Sequence, residues 1–249
     1  MSMSKGRKFR GAHALLLAVL AACGGASGDD GNVNAGTVGT DSVLPAAASG
    51  APRALNVVFV GTSLTAGLGL EPEEAFPGRI EAKIDSAGLP YTVINAGISG
   101  ETSSGLLRRL DWLLEGEFDV IVLETGANDG LRGIPIETAR QNIDSALGRI
   151  RAARPGAAVV LVQMEAPPNL GAEYTDAFRR MYAELGRAHG ATVMPFLLDG
   201  VAGDPALNQP DGIHPNPEGA QRVADNVWAV LGPVLESRSR RVDAPLLTP

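Results

Sequence analysis

The chain has 249 residues, a single cysteine and a formal net charge of −7. That length carries one substantial domain with extensions; the lone Cys23 excludes an intramolecular disulfide, and a hydrophobic content of 45% excludes wholesale disorder. Lys5, Arg7, Lys8 and Arg10 concentrate positive charge at the extreme N-terminus, so the remainder is more acidic still and a poor partner for nucleic acid.

Those four basic residues precede an apolar run over residues 12–22, with His13 near its start. Positive charge followed by a short apolar stretch is the pattern of a secretory signal, and the run falls short of the roughly 20 residues that span a bilayer. It ends Leu20-Ala21-Ala22-Cys23, which resembles the lipobox of bacterial lipoproteins. The alternative is an ordinary signal with an incidental cysteine. The lipobox implies that residues 1–22 are removed, that Cys23 is lipidated, and that the protein is held on a membrane of the bacterial cell envelope. Gly24 rather than Asp follows the cysteine, which favours a periplasm-facing position on an outer membrane where there is one. Residues 23–54 are rich in Gly, Ala, Ser, Asp and Asn without apolar periodicity, and read as a flexible linker.

From there short apolar runs alternate with helical spacing. Strands are expected at 56–60, 92–95, 120–123, 158–164 and 192–196. Most are continuous rather than alternating, as parallel strands buried on both faces require. Helical segments are expected at 73–87, around Leu106, Leu107, Leu110, Leu113 and Leu114, then at 136–153, 173–188 and 217–235. Trp112 and Trp228 lie on these segments and are expected in the core. The folded domain is placed at 55–236, with a loose tail over 237–249. Alternating strands and helices predict an α/β three-layer sandwich with right-handed crossovers. Functional residues should then follow the carboxyl ends of strands.

Three segments meet that expectation, and a fourth lies on a late loop near the C-terminus. Ser63, in Gly61-Thr62-Ser63-Leu64, can present its hydroxyl above the sheet, or Ser63 or Thr62 can simply cap a helix. Gly100, in Asn95-Ala96-Gly97-Ile98-Ser99-Gly100-Glu101-Thr102-Ser103, can expose its backbone N–H, or serve as a turn glycine before a helix capped by Thr102 or Ser103. Asn128 can aim an amide at an oxyanion, although Asp129-Gly130 is also a plain turn dipeptide. Asp211 and His214 stand three positions apart, where a carboxylate can orient an imidazole, or the loop can be a solvated turn with Asn216 capping the last helix. His13 belongs to the signal and His189, before Gly190, suits a helix C-terminus, which leaves His214 as the histidine beside a carboxylate. With one such histidine and the cysteine at the lipobox, a metal site is not expected.

Taken together and in this order, the segments resemble those of the SGNH (GDSL-type) hydrolases, in particular the bacterial thioesterase I / arylesterase / lysophospholipase group. The resemblance extends from about residue 56 to 235. It implies a flavodoxin-like five-stranded parallel sheet in the order 2-1-3-4-5 and a serine esterase that needs no cofactor or metal. Ser63 matches the nucleophile, His214 the base and Asp211 its orienter. The oxyanion hole corresponds to Ser63, Gly100 and Asn128. One position departs: Thr62 stands where the family usually has Asp. The loops after the third and fourth strands, with Leu131, Ile134 and Pro167, are expected to line an acyl pocket, and Arg132 to meet an anionic group or a nearby acid. The expected partner is a small acyl ester or thioester, and the expected state a monomer. Two other readings stay open: an O-acetylesterase acting on carbohydrate or peptidoglycan, and a non-catalytic lipoprotein that keeps the fold for binding.

Overall fold

The computed structural model describes residues 55–243. The signal, Cys23 and the linker therefore lie outside the described residues, as does the last part of the tail.

Five parallel strands form one sheet in the order β2-β1-β3-β4-β5. They are β1 (Leu55–Gly61), β2 (Tyr91–Gly97), β3 (Val120–Glu124), β4 (Ala158–Val162) and β5 (Thr192–Met194). The central β3 is buried along its whole length. Its Val-Ile-Val-Leu run suits a strand covered on both faces. Edge strand β2 is half open, and Ile94 is 39% exposed. The fifth strand is shorter than its apolar run because Pro195 follows Met194 and has no N–H to give to the ladder.

Among the described residues seven α-helices accompany the sheet: α1 (Ser63–Ala66), α2 (Phe76–Ser86), α3 (Ser103–Leu113), α4 (Ala127–Leu131), α5 (Ile136–Ala153), α6 (Ala172–His189) and α7 (Pro217–Asp243). Helix α2 packs on α7, while α5 packs on both α3 and α6, so helices cover both sides of the sheet. Periodicity explains the α5 face: Ala139, Ile143, Ala146, Leu147 and Ile150 are all buried. On α6, Phe178 stacks on Tyr174 and meets Tyr182 edge-on at 5.6 Å. Loss of a buried ring such as Phe178 costs about 3–5 kcal/mol in comparable cores.

Three expectations change. The helical segment expected at 73–87 starts at Phe76 rather than residue 73, with Pro77 in its first turn, where a missing N–H costs nothing. Residues 237–243 are helical, not loose. Leu235 is fully buried, the Ser239 hydroxyl donates to its carbonyl, and Arg238 donates to the Gly156 carbonyl and pairs with Asp119. Trp112 is not in the core. Leu106, Leu110 and Leu113 take the inward face of α3, which leaves Trp112 68% exposed on the other side. Trp228 does pack against the core.

Candidate active site

The carboxyl ends of β1, β2 and β3 and the loop before α7 converge. Ser63 opens α1 directly after β1. Its Oγ lies 2.9 Å from His214 Nε2, and His214 Nδ1 lies 2.6 Å from Asp211 Oδ2. The other Asp211 oxygen accepts the backbone N–H groups of Ile213 and His214 at 2.9 and 3.0 Å. Contact with the His214 ring, reinforced by those two N–H donors, holds the Asp211 carboxyl well below the usual carboxylate range. Asp211 therefore stays ionised wherever an imidazole can act as a base. With Asp211 on Nδ1, the ring's Nε2 is directed to the serine.

Two sequence options on this loop turn out to be compatible. Asn216 caps α7, its Oδ1 accepting the Gly219 N–H at 2.9 Å. The same loop carries His214 to Ser63. Gln209, which sequence reasoning passed over, fastens the two together. Its backbone N–H donates to the His214 carbonyl at 2.7 Å, and its amide donates to the Leu68 carbonyl just beyond α1 and to Pro215. A polar residue in a loop gives no sequence signal for such a role.

Gly100 adopts φ +77° as the third residue of a turn closed by the Glu101 N–H on the Ile98 carbonyl. This is the turn position that demands positive φ, and glycine supplies it without strain. The carbonyls of this turn are occupied: Arg132 donates to Gly100 O at 2.9 Å, and Asn128 Nδ2 to Glu101 O at 3.0 Å. A primary amide has two N–H donors, so Asn128 can hold the turn with one and offer the other to an oxyanion. Arg132 thus braces the turn through a backbone carbonyl. Asp129, fully buried, accepts the Ser103 N–H at 2.8 Å and its hydroxyl at 2.6 Å. Asn142 adds a bond to the same hydroxyl. That carboxyl joins α4 to the first turn of α3 and so fixes Asn128 relative to Gly100. It also explains why Ser103 is buried while Thr102 is the cap, accepting the Gly105 N–H.

Thr62 occupies the N-cap position of α1 but makes no side-chain cap bond. Its hydroxyl and N–H both go to Glu124, at the end of β3. Sequence reasoning did not single out Glu124. A signal existed: it is the lone charge closing an otherwise apolar buried strand, and such residues are almost never fully buried without partners.

His189 lies away from these groups. It ends α6 and meets Asp144 at 2.7 Å.

A cleft of about 540 Å³ flanks the His214 loop, lined by Leu131, Pro167, Pro168, Phe196, Leu198 and Ile213 among others. Of the three residues expected to line an acyl pocket, Leu131 and Pro167 line this cleft. Ile134 lies outside it, because its N–H bonds Asp129 O and its carbonyl accepts the Tyr174 hydroxyl, which pins that turn to the protein. A narrow apolar crevice is lined by Ser63 and His214 together with Leu68, Phe76, Leu198 and Val223.

Residues 59–222 match the GDSL-like Lipase/Acylhydrolase family. The chain is 39% identical over 183 residues to Esterase TesA of Pseudomonas aeruginosa, covering 73% of this chain and 90% of that protein. It is 37% identical to Arylesterase of Vibrio mimicus (69% and 85% covered), and 33% identical to Thioesterase 1/protease 1/lysophospholipase L1 of Escherichia coli (76% and 89%). Among solved structures, that of TesA superposes with a TM-score of 0.68 at 38% identity, covering 72% of this chain and 99% of the other. The psychrotrophic esterase EstA from Pseudoalteromonas sp. gives 0.69 at 34% identity (73% and 98%). The strand order, the convergence of serine, histidine and aspartate, and these likenesses agree: the chain belongs to the GDSL-like lipase/acylhydrolase family and is a serine hydrolase acting on ester bonds.

Proposed function

We propose that the protein hydrolyses small carboxylic esters or thioesters through an acyl-enzyme on Ser63, with His214 as base and Asp211 as its orienter. The observation that carries this is the unbroken hydrogen-bonded line Ser63 Oγ–His214 Nε2 and His214 Nδ1–Asp211 Oδ2. Ser63 Oγ attacks the substrate carbonyl carbon as His214 Nε2 takes its proton. The carbonyl oxygen becomes an oxyanion, held by the N–H groups of Ser63 and Gly100 and by the second N–H of Asn128. His214 returns the proton to the departing alcohol or thiol as the carbonyl re-forms. Water, deprotonated by the same imidazole, then attacks the acyl carbon; the bond to Ser63 Oγ breaks, His214 returns the proton to Oγ, and the acid leaves.

The names of the relatives, covering esterase, arylesterase and thioesterase/lysophospholipase, support the ester and thioester class. The cleft beside His214 supports an apolar acyl group of short or medium length, with Leu131, Pro167 and Ile213 as its contacts. The solved EstA structure is described as inhibited by monoethylphosphonate, which makes a phosphonate the natural probe here. Hydrolysis of p-nitrophenyl esters from acetate to palmitate should depend on Ser63 and peak at one chain length. A phosphonate should label the wild type and leave Ser63→Ala unlabelled. Hydrolysis that survives in Ser63→Ala would refute the assignment.

Lipid attachment at Cys23, with the enzyme facing the periplasm from the outer membrane where the organism has one, belongs to the same proposal. It is supported by Leu20-Ala21-Ala22-Cys23 after a basic, then apolar, leader. Two or more acyl chains give stable anchoring. Cys23→Ser should move the activity from the membrane to the soluble fraction.

A further inference from the structure

Glu124 is 1% exposed at the end of a strand whose other residues are apolar. Burying a carboxyl is costly unless hydrogen bonds compensate, and an apolar side chain here would avoid that cost. Every side-chain bond it makes runs to the nucleophile turn. Thr62 N–H donates to Oε2 at 2.7 Å, the Thr62 hydroxyl to both oxygens at 2.9 and 3.0 Å, and the Thr65 hydroxyl to Oε2 at 3.0 Å. No described residue forms an ion pair with it. Gly61 makes the approach possible, since a Cβ there would lie 2.6 Å from Oε2 and 2.0 Å from Thr65 Oγ1. A threonine at an N-cap ordinarily gives its oxygen to the second or third helical N–H; this one is turned down into the core instead.

We propose that Glu124 is a positioning residue for the reaction: acting through Thr62 and Thr65, it fixes the backbone on both sides of Ser63 and so sets the Oγ–His214 line and the direction of the Ser63 N–H. This rests on Ser63 being the nucleophile. The same contact answers the question raised by Thr62. The hydroxyl serves as a donor to a carboxylate that β3 supplies from below, so the turn is anchored without an aspartate beside the serine. Burial raises the Glu124 carboxyl above its ordinary range, partly offset by the Thr62 and Thr65 donors. Tyr182, whose phenol bonds Thr125 O, is the neighbouring titratable group in the core; burial, then the charges of Glu124 and Asp129, oppose its ionisation. A backbone N–H cannot reverse, so Oε2 remains an acceptor, and protonation on Oε1 would leave the Thr62 hydroxyl only Oε2 to donate to.

The test compares Glu124→Gln, Thr62→Val, Thr62→Ser and the Thr62→Val/Glu124→Gln double variant with wild type and Ser63→Ala, using a p-nitrophenyl ester and phosphonate labelling, with Tm followed in parallel. Misplacing reacting groups by about 1 Å costs on the order of 100-fold. Glu124→Gln keeps the shape, so it should lower kcat and the labelling rate about 10- to 100-fold, with KM within about twofold. It should also alter the acid limb of the pH–kcat profile. Thr62→Val should lose part of the same factor, Thr62→Ser should recover most of it, and the double variant should lose little more than Glu124→Gln, because both act through one contact. If Glu124→Gln lowers only Tm and leaves kcat and the pH profile as in wild type, Glu124 is structural and the inference is wrong. If Ser63→Ala remains active, the underlying assignment fails instead, and the two failures are told apart by that control.

Discussion

The two halves of the site are built in opposite ways. The nucleophile half stands on the buried ends of β1 and β3, where Glu124 is 1% exposed and its bonds cross 59 to 62 residues of sequence. The base half sits on an open loop, where Asp211 and His214 are three residues apart and Asp211 is solvent-facing. One half borrows its precision from the core; the other makes it locally, from a carboxylate that binds the ring and two backbone N–H groups of its own loop. The lesson is that a charged group can be held in place either by desolvated long-range bonds or by a short closed circuit in water. The first is sensitive to packing and the second to single side chains.

Breaking the local circuit should have the largest effect. Asp211→Asn leaves a side chain of the same size but favours the wrong tautomer of His214, and a comparable change elsewhere lowers kcat about 10⁴-fold. A measured loss below about tenfold would show that His214 is oriented by something else. The same substitution probes linkage. Asp211 has a depressed value in the folded state, so its contribution to stability is present above the unfolded value near 3.9. That contribution is lost as pH falls through the folded value. The Tm gap between wild type and Asp211→Asn should therefore be full at neutral pH and close on strong acidification.

Next is Asn128, the proposed oxyanion donor, which the core network sets in place. Asn128→Ala should lower kcat about 10²–10³-fold with KM little changed. A rise in KM at constant kcat would instead make Asn128 a ground-state contact. Gln209→Ala sharpens the comparison, because Gln209 joins the two halves through Leu68 O and the His214 loop. Its loss should reduce kcat by roughly tenfold, short of the 100-fold that a full 1 Å displacement entails. The phosphonate labelling rate should fall in parallel. At the small end, Trp112→Ala should change stability by no more than about 0.5 kcal/mol in chemical denaturation, as expected of a surface side chain away from any network.

What the sequence alone determined follows from short-range physics. Buried parallel strands read as continuous apolar runs, the α5 stripe repeats at 3.6 residues, and a carboxylate three positions from an imidazole on a loop can close on it without help. Hence the five strands, the α/β class and the Asp211–His214 pair were legible before any coordinates, and the order of the four segments pointed to the family. Only the tertiary structure decided the rest. Trp112 lies outward because α3 has one buried face and three leucines already fill it. The chain beyond Leu235 stays helical because Arg238 reaches the Gly156 carbonyl and Asp119. Ile134 lies outside the cleft, in a turn whose carbonyl Tyr174 holds. The contact of Glu124 with Thr62 and Thr65 arises because β1 and β3 are neighbours in the sheet though far apart in the chain. Each depends on which surfaces meet after the sheet has formed, and periodicity along one segment carries no information about what another segment brings to it.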